Sequence, residues 1–189
     1  MLSVKANKIN KGLITSAILL VILTLMWQHL NGGIVSHHLL HRADFPAVYN
    51  AWGIIIIPVL AWLTALRLHK AIGTERIKKT APVVIPTEFL VAFFVMLLFS
   101  LLQSALWEFG YQSLTMYTAL GLLIAGLFYP IYRAECILGH VVGASFTFGY
   151  AIPLVGILVM AIVSVFSLFC LKPIFSKLLK KTQTPMRME

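Results

Sequence analysis

Residues 36–44 read Ser-His-His-Leu-Leu-His-Arg-Ala-Asp and gather half of the chain's six histidines into one short stretch. On a helix N-capped by Ser36 and ended by Pro46, His37 and His41 are neighbours one turn apart, and Asp44 follows three residues later. Two imidazoles and a carboxylate on one face make a donor set for a divalent transition metal such as zinc, copper or iron. His38, three residues before His41, can replace His37 in that set. Glu108 and Tyr111, expected on the same side of the membrane, are the candidate catalytic groups. With His29 they can supply a fourth ligand, a general acid or base, or a group that orients a ligand. The internal glutamate of H-E-x-x-H is missing, so the pattern is not a metalloprotease signature. The competing expectation is a polar interfacial loop. In it Leu39, Leu40 and Phe45 dip toward lipid, while His37, His38 and Arg42 meet water and headgroups.

A second constellation is Cys136 and His140, four residues apart. A thiol and an imidazole at that spacing can ligate metal or form an activated thiolate. Packing is the stronger expectation, with Cys136 as small apolar filler and His140 hydrogen-bonded to a neighbouring helix. Gly139 and Gly143 on the same segment predict close approach of another helix. That face is also a candidate seam for a second copy or a membrane-complex partner. Gln103 and Ser104 are expected to line a cavity near the outer end of the third span, and Pro58 to kink the second.

Whatever these residues do, a membrane must position them. Of 189 residues, 60% are hydrophobic and 11% charged, with mean hydropathy +0.92, whereas soluble domains are about 25% charged. A crossing needs about 20 mostly apolar residues, and the candidates are 12–30, 48–67, 87–107, 114–132, 135–150 and 153–171. The last two form a hairpin, since residues 134–171 as one helix would be ~57 Å long against a hydrocarbon layer of about 30 Å. Gly149 and Pro153 provide the break. The apolar N-terminal run is expected to be a retained first helix rather than a cleaved signal.

Charge tests the count. With the N-terminus cytoplasmic, six crossings put fourteen of the fifteen Lys and Arg residues inside and Arg42 alone outside, as the positive-inside rule requires. Five crossings would carry Lys172, Lys177, Lys180, Lys181 and Arg187 to the wrong face. Trp27, Tyr49, Trp52, Trp107, Tyr111 and Tyr150 fall at outer helix ends and Tyr129 and Tyr132 at inner ones, as interfacial aromatics do. Arg133 and Glu135 bracket an inner turn and are expected to pair with each other.

The expected architecture is all-α: one transmembrane domain over 1–189, a six-helix bundle with short loops, both termini cytoplasmic, and a basic tail at 172–189. The setting is a bacterial-type inner membrane. The net charge of +9 lies in flanks between apolar runs, which argues for topology and against nucleic acid. Two cysteines make no disulfide framework, and no Walker A, G-x-S-x-G or C-x-x-C-H motif occurs. The leading functional expectation is a small membrane enzyme with an external His/Asp site acting on a lipid or other amphiphile. The alternative is a small transporter or a non-enzymatic assembly subunit.

Overall fold

A computed structural model describes residues 2–38, 47–78 and 85–173. Among these the chain is helical throughout, apart from one short hairpin. The helices are α1 (Leu2–Leu30), α2 (Gly53–Lys78), α3 (Thr87–Glu108), α4 (Gln112–Phe128), α5 (Ala134–Phe148) and α6 (Ala151–Phe166), the last running into a π-helical turn at Ser167–Leu171. Four of them contain stretches long and apolar enough to cross a membrane: Lys8–Leu30, Asn50–Ile72, Thr87–Glu108 and Ala151–Leu171. α4 and α5, at 17 and 15 residues, fall short of the ~20 that a lipid-facing crossing needs.

Several boundaries differ from hydropathy. α1 begins at Leu2 and α2 runs on to Lys78, because helical propensity continues through the lysines and arginines after the apolar run ends. The expected break between the last two helices is present. Gly149 caps α5 with φ 71° and α6 starts at Ala151, with Pro153 in its first turn. Gly32 and Gly33, both at positive φ, close α1, and the Gly33 N–H donates to the Gln28 carbonyl at 3.0 Å. Only glycine takes such backbone angles without strain.

Contacts divide the bundle into two ends. At one, Tyr150 packs on Gly53, Trp107 meets Phe148 edge-on with ring centroids 5.3 Å apart, and the Asn50 N–H donates to Val35. At the other, Leu68, Ile72 and Phe89 pack with Ile9, Leu13 and Ile85, and Tyr132 lies beside Phe169. Consecutive helices therefore alternate in direction. The first is the hairpin end and the second the basic end.

The hub is α5. Its residues Glu135–Val141 and Gly143–Ser145 are buried, and it packs on α3 most extensively, with α6 and α2 on its other sides. Its glycines explain the α3 contact. A methyl at Gly139 would land on the Phe93 carbonyl oxygen, and one at Gly143 would meet the Ser100 hydroxyl. The expected glycine seam is thus formed within the chain. α1, by contrast, leans chiefly on α2, and most of its span is uncovered by the rest of the chain.

Candidate functional site

The expected helix from Ser36 to Pro46 is not what Ser36–His38 forms. These residues make strand β1, antiparallel to strand β2 (Ala47–Tyr49), with Ser36 opposite Tyr49, His37 opposite Val48 and His38 opposite Ala47. β-branched and aromatic residues flank the pairing, which suits a pleated ribbon better than a helix. The spacing argument that set His37 one helical turn from His41 therefore lapses at its first residue. For His37 and His38 only the backbone is described; His41 and Asp44 lie outside the described residues. Glu108 and Tyr111 end and follow α3 at the same end of the bundle, both exposed. No group of three or more His, Cys, Asp or Glu is close enough to hold a metal among the described residues.

Other expectations resolve into packing. Gln103 and Ser104 are buried in helix seams. The Gln103 amide donates to Thr118 Oγ1 and the Ser104 hydroxyl to the Gly143 carbonyl, each at 3.3 Å. Tyr150 is 1% exposed and not part of an interfacial belt, because the missing Cβ of Gly53 lets its ring pack flush. Trp27, Trp52, Tyr49, Tyr111 and Tyr129 are exposed as expected. α2 stays helical through Pro58. Cys136 and His140 are both buried, but the hydrogen bond expected for His140 is not made at Nδ1.

Glu135 supplies the main surprise. It is 1% exposed and pairs with Arg67 on α2, Nε to Oε2 at 2.9 Å, and not with Arg133. Oε2 accepts no aligned hydrogen bond, so the contact is an ion pair rather than a directed N–H···O bond. The α5 start lies against the last membrane turns of α2, bringing a cation and an anion from distant sequence positions to the basic end. Burial makes Glu135 dependent on Arg67, since a lone carboxylate would be costly there.

From the level of this pair toward the bundle middle runs a crevice of about 440 Å³ between α1, α2 and α3, floored by α5. That volume is within the ~300–1,000 Å³ of small-ligand sites. Leu13, Leu20, Ile57, Phe89, Phe93 and Val142 are among its walls, and Ser16 and Thr64 are the only lining side chains that carry a polar atom. The Ser16 hydroxyl donates to the Leu13 carbonyl at 2.9 Å. Thr64 is 0% exposed and its Oγ1 has no hydrogen-bond partner. An unsatisfied buried hydroxyl costs roughly 1–3 kcal/mol, and a helical threonine usually avoids this by bonding back one turn.

Thr64 and Arg67 are i,i+3 neighbours on α2, as Glu135 and Leu138 are on α5; Thr64 and Leu138 line the crevice. Sequence reasoning missed this constellation because it counted Arg67 as a topology charge. The available signal was an arginine set in the last apolar turn of a span rather than in the loop beyond it. Thr64 is ~21 Å along the helix from Asn50 at 1.5 Å per residue, so its hydroxyl stands well apart from the histidine hairpin. Comparison with protein-family models, with curated proteins and with solved structures finds no match for this chain.

Proposed function

We propose that this is an integral membrane protein that binds a lipid, taking an acyl chain into the crevice between α1, α2 and α3. The observation that carries this reading is the crevice itself: carbon-walled, within spans apolar enough to lie in hydrocarbon, and holding one unsatisfied hydroxyl. Such a slot would be occupied by chain in a bilayer, because a void forfeits the dispersion contacts of its lining. Photoactivatable palmitate in nanodiscs tests it. Cross-links should concentrate on residues 13–20 and 85–94, and Ser16→Trp, which fills the slot from an exposed position, should remove them. Labelling spread evenly over the exposed faces, Leu23 and Leu98 included, would refute it.

We further propose six crossings with both termini cytoplasmic. The alternating helix directions and the distribution of Lys and Arg support this. α5 can be short because protein, not lipid, surrounds it, so it need not match the hydrocarbon thickness. Membrane-impermeant labelling of a cysteine at position 38 and of the C-terminal tail should report opposite faces; a common face would overturn the topology.

A second reading is the external enzyme, in which His37, His41 and Asp44, or His38 in place of His37, bind zinc, copper or iron, and Glu108 and Tyr111 assist. In its favour, the hairpin holds residues 36–38 at the end of the bundle where α3 delivers Glu108 and Tyr111. Purified protein would then carry a stoichiometric transition metal that His37→Ala/His41→Ala removes. Metal content indifferent to that substitution would end this reading.

A further inference from the structure

Resting on the lipid-binding proposal, we infer that the occupant is a glycerophospholipid, with its phosphate on Arg67 and an ester carbonyl on Thr64. Three observations converge. Arg67 is 39% exposed near the basic end of a span, the level at which long cationic side chains reach lipid headgroups. A guanidinium carries five N–H donors and Glu135 meets it at Nε. The remaining donors suit a phosphate, which arginine recognises by forked, charge-assisted hydrogen bonds.

Thr64 lies one turn deeper, ~4.5 Å along the helix axis, and its hydroxyl is 0% exposed and unpartnered against the crevice. A glycerophospholipid carries its ester carbonyls a few ångströms below its phosphate and its chains below those. Along α2 the slot is lined by Ile57, Thr64 and Leu68, and Arg67 adjoins Leu68 toward the basic end. A free fatty acid lacks the ester, and diacylglycerol lacks the phosphate.

The test uses the full-length protein in phosphatidylcholine nanodiscs with trace photoactivatable lipids of identical chains. The three probes are diester phosphatidylglycerol, diester diacylglycerol and diether phosphatidylglycerol. The wild type should label in the crevice about tenfold more with phosphatidylglycerol than with diacylglycerol, the order expected for a charge-assisted contact. It should also favour diester over diether lipid several-fold. Arg67→Gln should abolish the first preference and leave the second. Thr64→Val, which keeps shape and removes the hydroxyl, should do the reverse. Glu135→Gln, which removes the competing carboxylate, should raise the first.

Equal crevice labelling by phosphatidylglycerol and diacylglycerol in the wild type overturns the headgroup inference while leaving chain binding intact. So does a preference that survives Arg67→Gln, since the phosphate would then be read elsewhere. Absence of crevice labelling by any probe removes both proposals. If Arg67→Gln does not fold, the wild-type ratios and Glu135→Gln still decide the matter.

Discussion

The α3–α5 seam makes a prediction whose size follows from its geometry. An alanine Cβ at Gly143 would meet the Ser100 hydroxyl and stand 2.6 Å from the Leu97 carbonyl oxygen, 0.8 Å inside the 3.4 Å at which ordinary contact begins. At Gly139 the obstacle is the Phe93 carbonyl oxygen, with Phe93 C and Leu97 N each 3.3 Å away. These are backbone atoms in the middle of a helix and cannot rotate aside, so α3 must retreat as a body. A radial gap of ~0.5–1 Å forfeits a quarter to a half of each dispersion contact. Overpacking of this kind costs about 1–3 kcal/mol, and replacing glycine in a helix returns about 1 kcal/mol. The control is Gly156, where a Cβ meets nothing within 4 Å and alanine should be neutral or stabilising. Each seam variant should therefore be less stable than Gly156→Ala by roughly 2 kcal/mol. Reversible unfolding in mixed micelles, followed by tryptophan fluorescence, measures the difference. If Gly139→Ala and Gly156→Ala unfold at the same detergent fraction, the seam is not as tight as described and α5 is not the hub.

Arg67→Ala strands the buried Glu135 carboxylate and should destabilise the fold by about 3 kcal/mol, the low end for a broken buried pair, because the guanidinium is half-exposed. Arg67→Met combined with Glu135→Leu should recover most of that loss, and the same unfolding assay would show otherwise if the double variant were the worse. The Ser164 and Ser167 hydroxyls donate to the carbonyls of Tyr129 and Leu127, at 2.9 and 2.8 Å, where α4 ends and its own turns no longer supply donors. Each serine-to-alanine change should cost about 1 kcal/mol, and no measurable loss in either would mean that water already serves those carbonyls.

Hydropathy located the helices, four of them long and apolar enough to cross a membrane, but placed their ends poorly, for a physical reason. Burial in hydrocarbon governs where apolar residues begin and stop, but a helix continues into water as long as its backbone bonds can, as α2 does to Lys78. Local signals sufficed for the break at Gly149 and for the glycine face of α5. The hairpin of Ser36–His38 with Ala47–Tyr49 was illegible because pairing joins residues nine to thirteen apart, whereas the periodicity of the histidines suggested a turn of helix. Arg67 with Glu135 failed for the same reason on a longer scale. Nearest charges in sequence were matched, and the partner lay beyond two intervening helices. Thr64 gave no sequence signal at all, since a threonine in an apolar run is unremarkable until its hydroxyl is found without a bond.

The central helix is also among the last to be made. When ribosomal synthesis has delivered the first four helices, the surfaces of α2 and α3 that will receive it lack their partner, with the Ser104 hydroxyl and the Arg67 guanidinium awaiting Gly143 and Glu135. The early helices must therefore stay sheltered, by an insertase or by each other, until residues 134–148 arrive. Shortened chains ending before that segment would be clients for membrane quality control rather than partial folds.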